Sequence, residues 1–477
     1  MQEKRSYKLK PTVKTVLVDT ATPVSLFCRL RDKFPHCLLL ESADYRGNEN
    51  SYSFLCFKPI AGFKVANDRI TSFYPDGTEN VAVIKDYTDV QSALEAFVDC
   101  FEVEHDEQLP QAADGLFGYI AYDSIQYWED IELKQEVDPN RHIPEVLYHV
   151  YEHVLAINHY NNEMHIIHNR FGDNMGAEQE DPFDSLQYLT NLGCATTYPF
   201  TVVGTEESNF TDSEYGAVVA QCQKHIKRGD VFQIVPSRRY SHRFKGDDLN
   251  VYRALRSINP SPYLFYFDYG DFRIFGSSPE AQLVIKDGEA EVHPIAGTYR
   301  RTGDDATDTL KAEALRDDPK ENAEHVMLVD LARNDLSKHC HKVQVKSYKE
   351  IQYFSHVIHL VSKVSGQLTD RSSVISVLAD TFPAGTLSGA PKYRAMELID
   401  LYEKGKRYFY GGGIGFLGFN GDCNHAIMIR SFLSKNSTLY YQAGAGVVAD
   451  SVPDNEVQET KNKLMALKNA IAMAERL

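Results

Sequence analysis

The sequence predicts a mixed α+β fold in two subdomains, and three observations carry that expectation. From Val13 to about Phe171, segments such as LLLESAD, SFLCF, GFKVA, GLFGYIAY and VLYHVYEHVLAIN set β-branched and aromatic residues between turn signals, which reads as a sheet-rich unit (13–171). From Gly172 to Ser208 the composition turns to Asp, Glu, Asn, Gly and Thr without a strong apolar pattern, which reads as a connection over the surface (172–208). From 209 to Leu477 helical and strand patterns alternate, defining a second and larger unit (209–477).

The second unit opens with Thr211-Asp-Ser-Glu214, a capping box in which hydroxyl and carboxylate each satisfy an amide at the helix start. The helix runs through Val218, Cys222 and Ile226 and stops at Gly229. Strands are expected at FQIVPS, YLFYFDY, FRIFGSS and AQLVIKD, and helices over 320–336 and 390–404. Strands at FYGGGIGFLGF, NHAIMIRSF and LYYQAGAG then lead to a closing helix from about Asp454. No fixed-period repeat or low-complexity tract interrupts this order, which excludes solenoids and propellers.

Composition narrows the function. The chain has 477 residues and a net charge of −17, which argues against a general binder of nucleic-acid backbones. It has no apolar run long enough to span a bilayer and no secretory signal pattern, so a cytoplasmic protein with no membrane contact is expected. Its cysteines, Cys28, Cys37, Cys56, Cys100, Cys194, Cys222, Cys340 and Cys423, are scattered without a C-x-x-C pair, which suits reduced thiols.

The sharpest chemical feature is a pair of acidic helices, with Glu321 and Glu324 in one and Glu456 and Glu459 in the other, each at i,i+3 spacing. Such a pair shares one helix face at about 5–6 Å. Two solvated faces are the ordinary outcome. If both faces instead enter one pocket, their repulsion calls for a hard divalent cation, with Glu324 and Glu459 as ligands and Glu321 and Glu456 acting through water. Lys463, one turn beyond Glu459, would balance charge.

Other patterns weigh less. Gly413-Ile-Gly415-Phe-Leu-Gly418 matches a dinucleotide fingerprint in letters, but a turn and another strand follow it, so a hairpin is expected. The stretch Pro383 to Lys392 brings a glycine-bearing loop into a helix with proline in its first turn, where free amides can hold an anion. His149 and His153, the HCH run at 339–341, and His356 and His359 read as packed or solvated imidazoles by default. A G-x-S-x-G or G-x-C-x-G elbow is absent, which argues against acyl-enzyme chemistry and a built-in glutaminase.

Taken in order, LLLESAD (38–44), NPSPYLFYF (259–267), GSSPE (276–280), PIAGTYRR (294–301), AEHVMLVDLARND (323–335), HLVSKVSG (359–366), PAGTLSGAPKYRAMELI (383–399), IMIRS (427–431) and GAGVVADSVPDNEVQETKNK (444–463) resemble the chorismate-utilising enzymes, above all their anthranilate synthase branch. The resemblance implies a two-subdomain fold with large, mostly antiparallel sheets flanked by helices. It implies Mg²⁺ as cofactor, held by Glu324 and Glu459, and a chorismate site formed by Gly297, Thr298, Tyr410, Arg430, Gly444, Ala445, Gly446 and Lys463. It assigns Glu280 as general acid toward the departing 4-hydroxyl, Thr386 to orient it, and His359 to the elimination of pyruvate.

Two positions separate siblings. Water-adding relatives carry a lysine where Gln233 stands, and glutamine cannot take a proton, so Gln233 favours ammonia as nucleophile. Aminodeoxychorismate synthase, the in-family alternative, typically has a lysine where this chain has Ala296. The resemblance further implies a separate glutamine amidotransferase subunit in a hetero-oligomer, and tryptophan as an inhibitor contacting Ser42, Pro262, Tyr263 and Leu264. A catalytically silent tryptophan-binding regulator would have lost the glutamates or Arg430, and neither is lost.

Overall fold

The computed structural model describes residues 6–42, 51–104, 114–172, 183, 186, 196–353, 357–369 and 374–477. His356, Cys194 and the last two residues of LLLESAD lie outside them, as does the side chain of Thr298.

Strands dominate, and their pairings among the described residues are antiparallel apart from Tyr7–Leu17 with Phe101–Val103. In the first half, Tyr52–Ala66 pairs with Val146–Asn158, which pairs in turn with Glu163–Phe171 and Gly115–Ile120. In the second half, Tyr263–Asp268, Phe272–Ser278, Ser431–Lys435, Thr438–Gly444 and Ser237–Gly246 follow one another edge to edge.

Two seams join the halves. Leu38–Glu41 pairs with Tyr263–Asp268 in the register Leu40 to Phe265, and Gly115–Ile120 pairs with Gly413–Gly418 in the register Gly118 to Gly415. Leu38, Phe117, Tyr151, Phe265, Ile414, Phe416 and Leu433 share one core, so the two halves of the chain are joined through both sheet and interior. The first strand begins at Tyr7, ahead of Val13, and Phe200–Ser208 at the end of the expected connection is itself a strand, paired with Ser237–Gly246. Its outward residues are polar, which hid the strand from an apolar-pattern reading.

The glycines of Gly413–Gly418 have a packing reason. The strand forms a hairpin with Cys423–Ile427, as expected. A Cβ on Gly415 would sit 1.9 Å from the Asn424 carbonyl oxygen, and one on its partner Gly118 would sit 2.0 Å from the Leu147 carbonyl oxygen. Two backbones approach where no side chain fits, and no pyrophosphate need be invoked. Gly415→Val is expected to lower stability by about 1–3 kcal/mol, read as a lower urea midpoint.

Helices flank the sheets. Thr211 and Glu214 form the reciprocal capping box of Asp212–Arg228, which ends at Gly229 with φ 83°. The first acidic helix, Pro319–Ser337, lies on Ile295–Arg300 and Val357–Leu368. The second, Pro453–Ala474, lies on Thr438–Gly444 and on the helices Asp212–Arg228 and Leu249–Ile258.

Candidate active site

The two acidic helices, far apart in sequence, each bring a carboxylate to bear on Lys463. A Cβ on Gly297 would lie 3.2 Å from Glu321 Oε2, and one on Gly446 would lie 3.5 Å from Glu324 Oε1. The missing side chains of Gly297 and Gly446 thus leave room for the first acidic pair. From the other helix Lys463 Nζ reaches Glu459 Oε1 at 2.7 Å and donates to the Gly444 carbonyl at 3.0 Å. Burial by itself would lower the Lys463 pKa, but the carboxylates of Glu459 and Glu324 offset it and the value ends raised. One ammonium therefore feels a glutamate from each helix. Glu324 and Glu459 are half-buried and Glu456 is buried, so the acidic faces do not look out to bulk water.

Glu280 stands beside this pair. It follows Phe272–Ser278 and is buried, and its Oε1 accepts the Thr386 hydroxyl at 3.1 Å. Burial pushes its carboxyl up to about 7, against the opposing pull of Thr386, Lys463 and Arg430. Arg430 precedes Ser431–Lys435 in the left-handed region, φ 49°, and its carbonyl accepts the Ser277 amide at 3.1 Å. Burial lowers its pKa while Glu280 supports its charge, and among the described residues no ion pair neutralises it.

His359 lies on the strand facing Ile295–Arg300, with Nδ1 3.1 Å from the Gly297 carbonyl. A carbonyl only accepts, so the ring proton sits on Nδ1 and Nε2 is the basic nitrogen. Burial holds the imidazole down at about 4, and Arg430 adds to the effect. His359 is thus neutral at ordinary pH. Gln233 is also buried and donates from Nε2 to Glu324 Oε1 at 2.8 Å. A carboxylate can only accept, which fixes the amide orientation, and Gln233 Oε1 has no protein partner among the described residues.

Tyr410 is buried nearby and receives a hydrogen bond from the Gly444 backbone. The Ala445 amide donates to the Pro236 carbonyl at 3.2 Å. Within the Gly444-Ala445-Gly446 run, strand pairing thus engages the Ala445 amide.

A buried ion pair supports this wall, and the sequence did not flag it. Arg407 donates to the carbonyls of Leu387 and Val235, both at 2.7 Å, and to Glu403 Oε2 at 3.0 Å. It lies 4.5 Å from the Tyr122 ring centroid and 5.6 Å from that of Tyr410. Glu403 Oε1 in turn accepts the Ser237 amide and hydroxyl at 2.7 and 2.8 Å. One guanidinium thus ties together the segments that carry Gln233, Thr386 and Tyr410. Nothing local in the sequence YEKGKRYFY marks these two charges, because their pairing depends on the chain turning inward after Tyr402.

The residues expected to contact tryptophan also come together. Glu41 pairs with Leu264, next in the chain to Ser42 and Tyr263 respectively. Pro262 and Tyr263 are half-buried and Leu264 is buried. The Glu41 carboxylate beside them accepts the Tyr252 hydroxyl at 2.6 Å and Arg256 Nε at 3.0 Å.

Of the other histidines, His149, His153 and His168 are buried, while His341 is exposed. Burial takes His149 down to about 3. His339 and Lys338 both bind Asp380. His153 faces His168 across the strand pair at 3.2 Å and Glu152 at 3.1 Å, with Lys58 on Glu152 at 2.9 Å. This is a donor chain that ends on a lysine-bound carboxylate.

Arg430 and Lys463 thus stand beside the buried Glu280, close to carboxylates from both acidic helices. The chorismate binding enzyme family matches residues 35–469, and the chain belongs to that family. Within it the chain is 38% identical to anthranilate synthase component 1 of Aquifex aeolicus, over 98% of this chain and 96% of that protein. It is likewise 38% identical to the protein of that name from Neisseria meningitidis serogroup B, over 99% and 97%. The solved anthranilate synthase component I of Streptococcus pneumoniae superposes with a TM-score of 0.75 at 32% identity, covering 95% of this chain and 99% of that one. The menaquinone-specific isochorismate synthase of Escherichia coli shares the fold, with a TM-score of 0.73 at 18% identity.

Proposed function

We propose that the chain is the large subunit of an anthranilate synthase, converting chorismate and ammonia to anthranilate, pyruvate and water. The observation that carries this reading is the meeting of Glu324 and Glu459 at Lys463, beside Glu280 and Arg430. Arg430 binds one carboxylate of the substrate through its fork of donors, and the Gly446 amide and Lys463 take up further negative charge. The cofactor in this reading is Mg²⁺. The donor set fits, because the hard carboxylate oxygens of two helices share a single ammonium and leave an excess of negative charge for a divalent ion. Glu324 and Glu459 would hold it, with Glu321 and Glu456 behind them, and it would supply charge stabilisation at the ring carboxylate.

Gln233 Oε1 accepts an N–H of ammonia and orients its lone pair, a task that needs no base. Glu280, protonated, gives its proton to the departing hydroxyl, held in line by Thr386, so that water leaves rather than hydroxide. His359 Nε2 takes the ring proton whose loss accompanies the departure of pyruvate and makes the ring aromatic. Gly297 and Thr298 form the adjoining wall. Ala296, buried, offers no amine to attack the ring, which favours this product over that of an aminodeoxychorismate synthase.

Ammonia comes from a separate glutamine amidotransferase subunit. Burial pushes the thiols of Cys28, Cys37, Cys56, Cys222, Cys340 and Cys423 up, away from the reactive thiolate a glutaminase needs. Tryptophan inhibits from the pocket of Ser42, Pro262, Tyr263 and Leu264, and the protein works in tryptophan biosynthesis in the cytoplasm. Incubation with chorismate and Mg²⁺ tests the reading. Ammonium is expected to yield anthranilate, glutamine alone none, and tryptophan is expected to suppress the product. Aminodeoxychorismate as product, or activity with glutamine alone, would refute it.

A further inference from the structure

Against Glu280 lies a cavity of about 40 Å³ whose lining includes neither Arg430 nor Lys463. That is room for about three water molecules at roughly 10–15 Å³ each. Its floor is one face of the first acidic helix: Leu328, Leu331, Ala332 and Asp335 recur at i, i+3, i+4 and i+7, continuing the face that carries Glu321 and Glu324. From Leu328 to Asp335 that face advances about 10 Å at 1.5 Å per residue.

The polar groups lie at intervals along this space. At the inner end are the Glu280 carboxyl group and the Thr386 hydroxyl. Thr381 and Gln282 also line it, and Gln282 Nε2 donates to Thr381 Oγ1 at 3.2 Å. Gln282 Oε1 has no protein partner among the described residues, although only 2% of that residue is exposed. At the outer end Asp335 Oδ2 meets Lys392 Nζ at 2.8 Å, and Lys392 also reaches the carbonyls of Asp380 and Thr381 at 3.2 and 3.3 Å. Leu328, Leu331, Ala332 and Ala384 line the same space.

Resting on the function proposed above, we infer that this cavity is the proton-return path of the enzyme, a short water chain from Asp335 to the Glu280 carboxyl group. In each cycle Glu280 gives one proton to the hydroxyl as the C–O bond breaks, and water departs. The remaining carboxylate must regain a proton before the next turnover. On the substrate side it faces Arg430 and Lys463, which hold their protons, and bound substrate covers that side. The cavity gives a return that need not wait for product to leave, with Asp335 passing a solvent proton inward. The proton shed by the ammonia nitrogen after attack goes to solvent and closes the balance.

The test uses Asp335→Asn, which removes the outer proton carrier, Ala332→Val, which fills the passage, and Asp335→Glu as the conservative control. Stopped-flow fluorescence of the aromatic product separates the first turnover, made on pre-protonated Glu280, from the steady state. Asp335→Asn and Ala332→Val are expected to keep the first turnover within about twofold of the unaltered enzyme and slow the steady state about tenfold, producing a burst of one product per site. Asp335→Glu is expected to restore the steady state. In parallel, infrared spectra record hydrogen–deuterium exchange of the buried carboxyl group, assigned by its loss in Glu280→Gln, and both blocking variants are expected to slow it. First turnover and steady state falling together, or neither changing and exchange staying fast, would overturn the relay. If the unaltered chain makes no anthranilate, the functional reading fails, and the infrared arm still decides whether the passage carries protons.

Discussion

Glu280→Gln is expected to lower kcat by about 10³-fold, within the usual range for loss of a general acid, with KM for chorismate changed only a few-fold. The amide keeps the shape of the carboxyl group and its contact with Thr386, but cannot release a proton to the leaving hydroxyl. A loss of 10³ corresponds to about 4 kcal/mol of transition-state stabilisation. The pH dependence follows from the same group. Burial raises Glu280 to about 7, so the protonated, competent form prevails below that pH and is lost as pH rises through it. An anionic substrate beside it moves the fall to higher pH. In Glu280→Gln this alkaline limb should disappear from the kcat profile. A variant that keeps the limb would assign it to another residue.

Glu324→Ala and Glu459→Ala are each expected to reduce turnover by 10³-fold or more, with less than additive loss in the double variant because the two act as a unit. Folding should be nearly untouched. The Glu459–Lys463 pair is close to half-exposed, with side-chain exposures of 42% and 46%, and such pairs contribute about 0–1 kcal/mol. Glu324→Ala also leaves the Gln233 amide without its carboxylate, so it should raise KM for ammonium as well, a mark that Glu459→Ala lacks. Circular dichroism and thermal unfolding check the fold, and steady-state assays over Mg²⁺ and ammonium concentration check the activity.

Why the acidic pairs were visible and their support was not follows from range. Spacing within a helix is local, so Glu321 with Glu324 and Glu456 with Glu459 show in the sequence, as do the capping box at Thr211 and the hairpin at Gly418. Whether the two faces meet is a long-range fact, set by how Pro319–Ser337 and Pro453–Ala474 lie on strands from different parts of the chain. Arg407 and Glu403 escaped notice for the same reason, since a buried guanidinium and a solvated one have the same letters. The seams escaped too: the register of Leu40 with Phe265 and of Gly118 with Gly415 depends on pairings across most of the chain. Phe200–Ser208 was hidden by its polar outward face.

The central claim is that two acidic helices build one cation site against the ring carboxylate of the substrate. Titration of the protein with Mn²⁺, followed by electron paramagnetic resonance with and without an unreactive chorismate analogue, tests it most directly. The account predicts one bound ion per chain, tightened by the analogue and lost in both Glu324→Ala and Glu459→Ala. Tight binding that survives both substitutions, or that ignores the analogue, would contradict it.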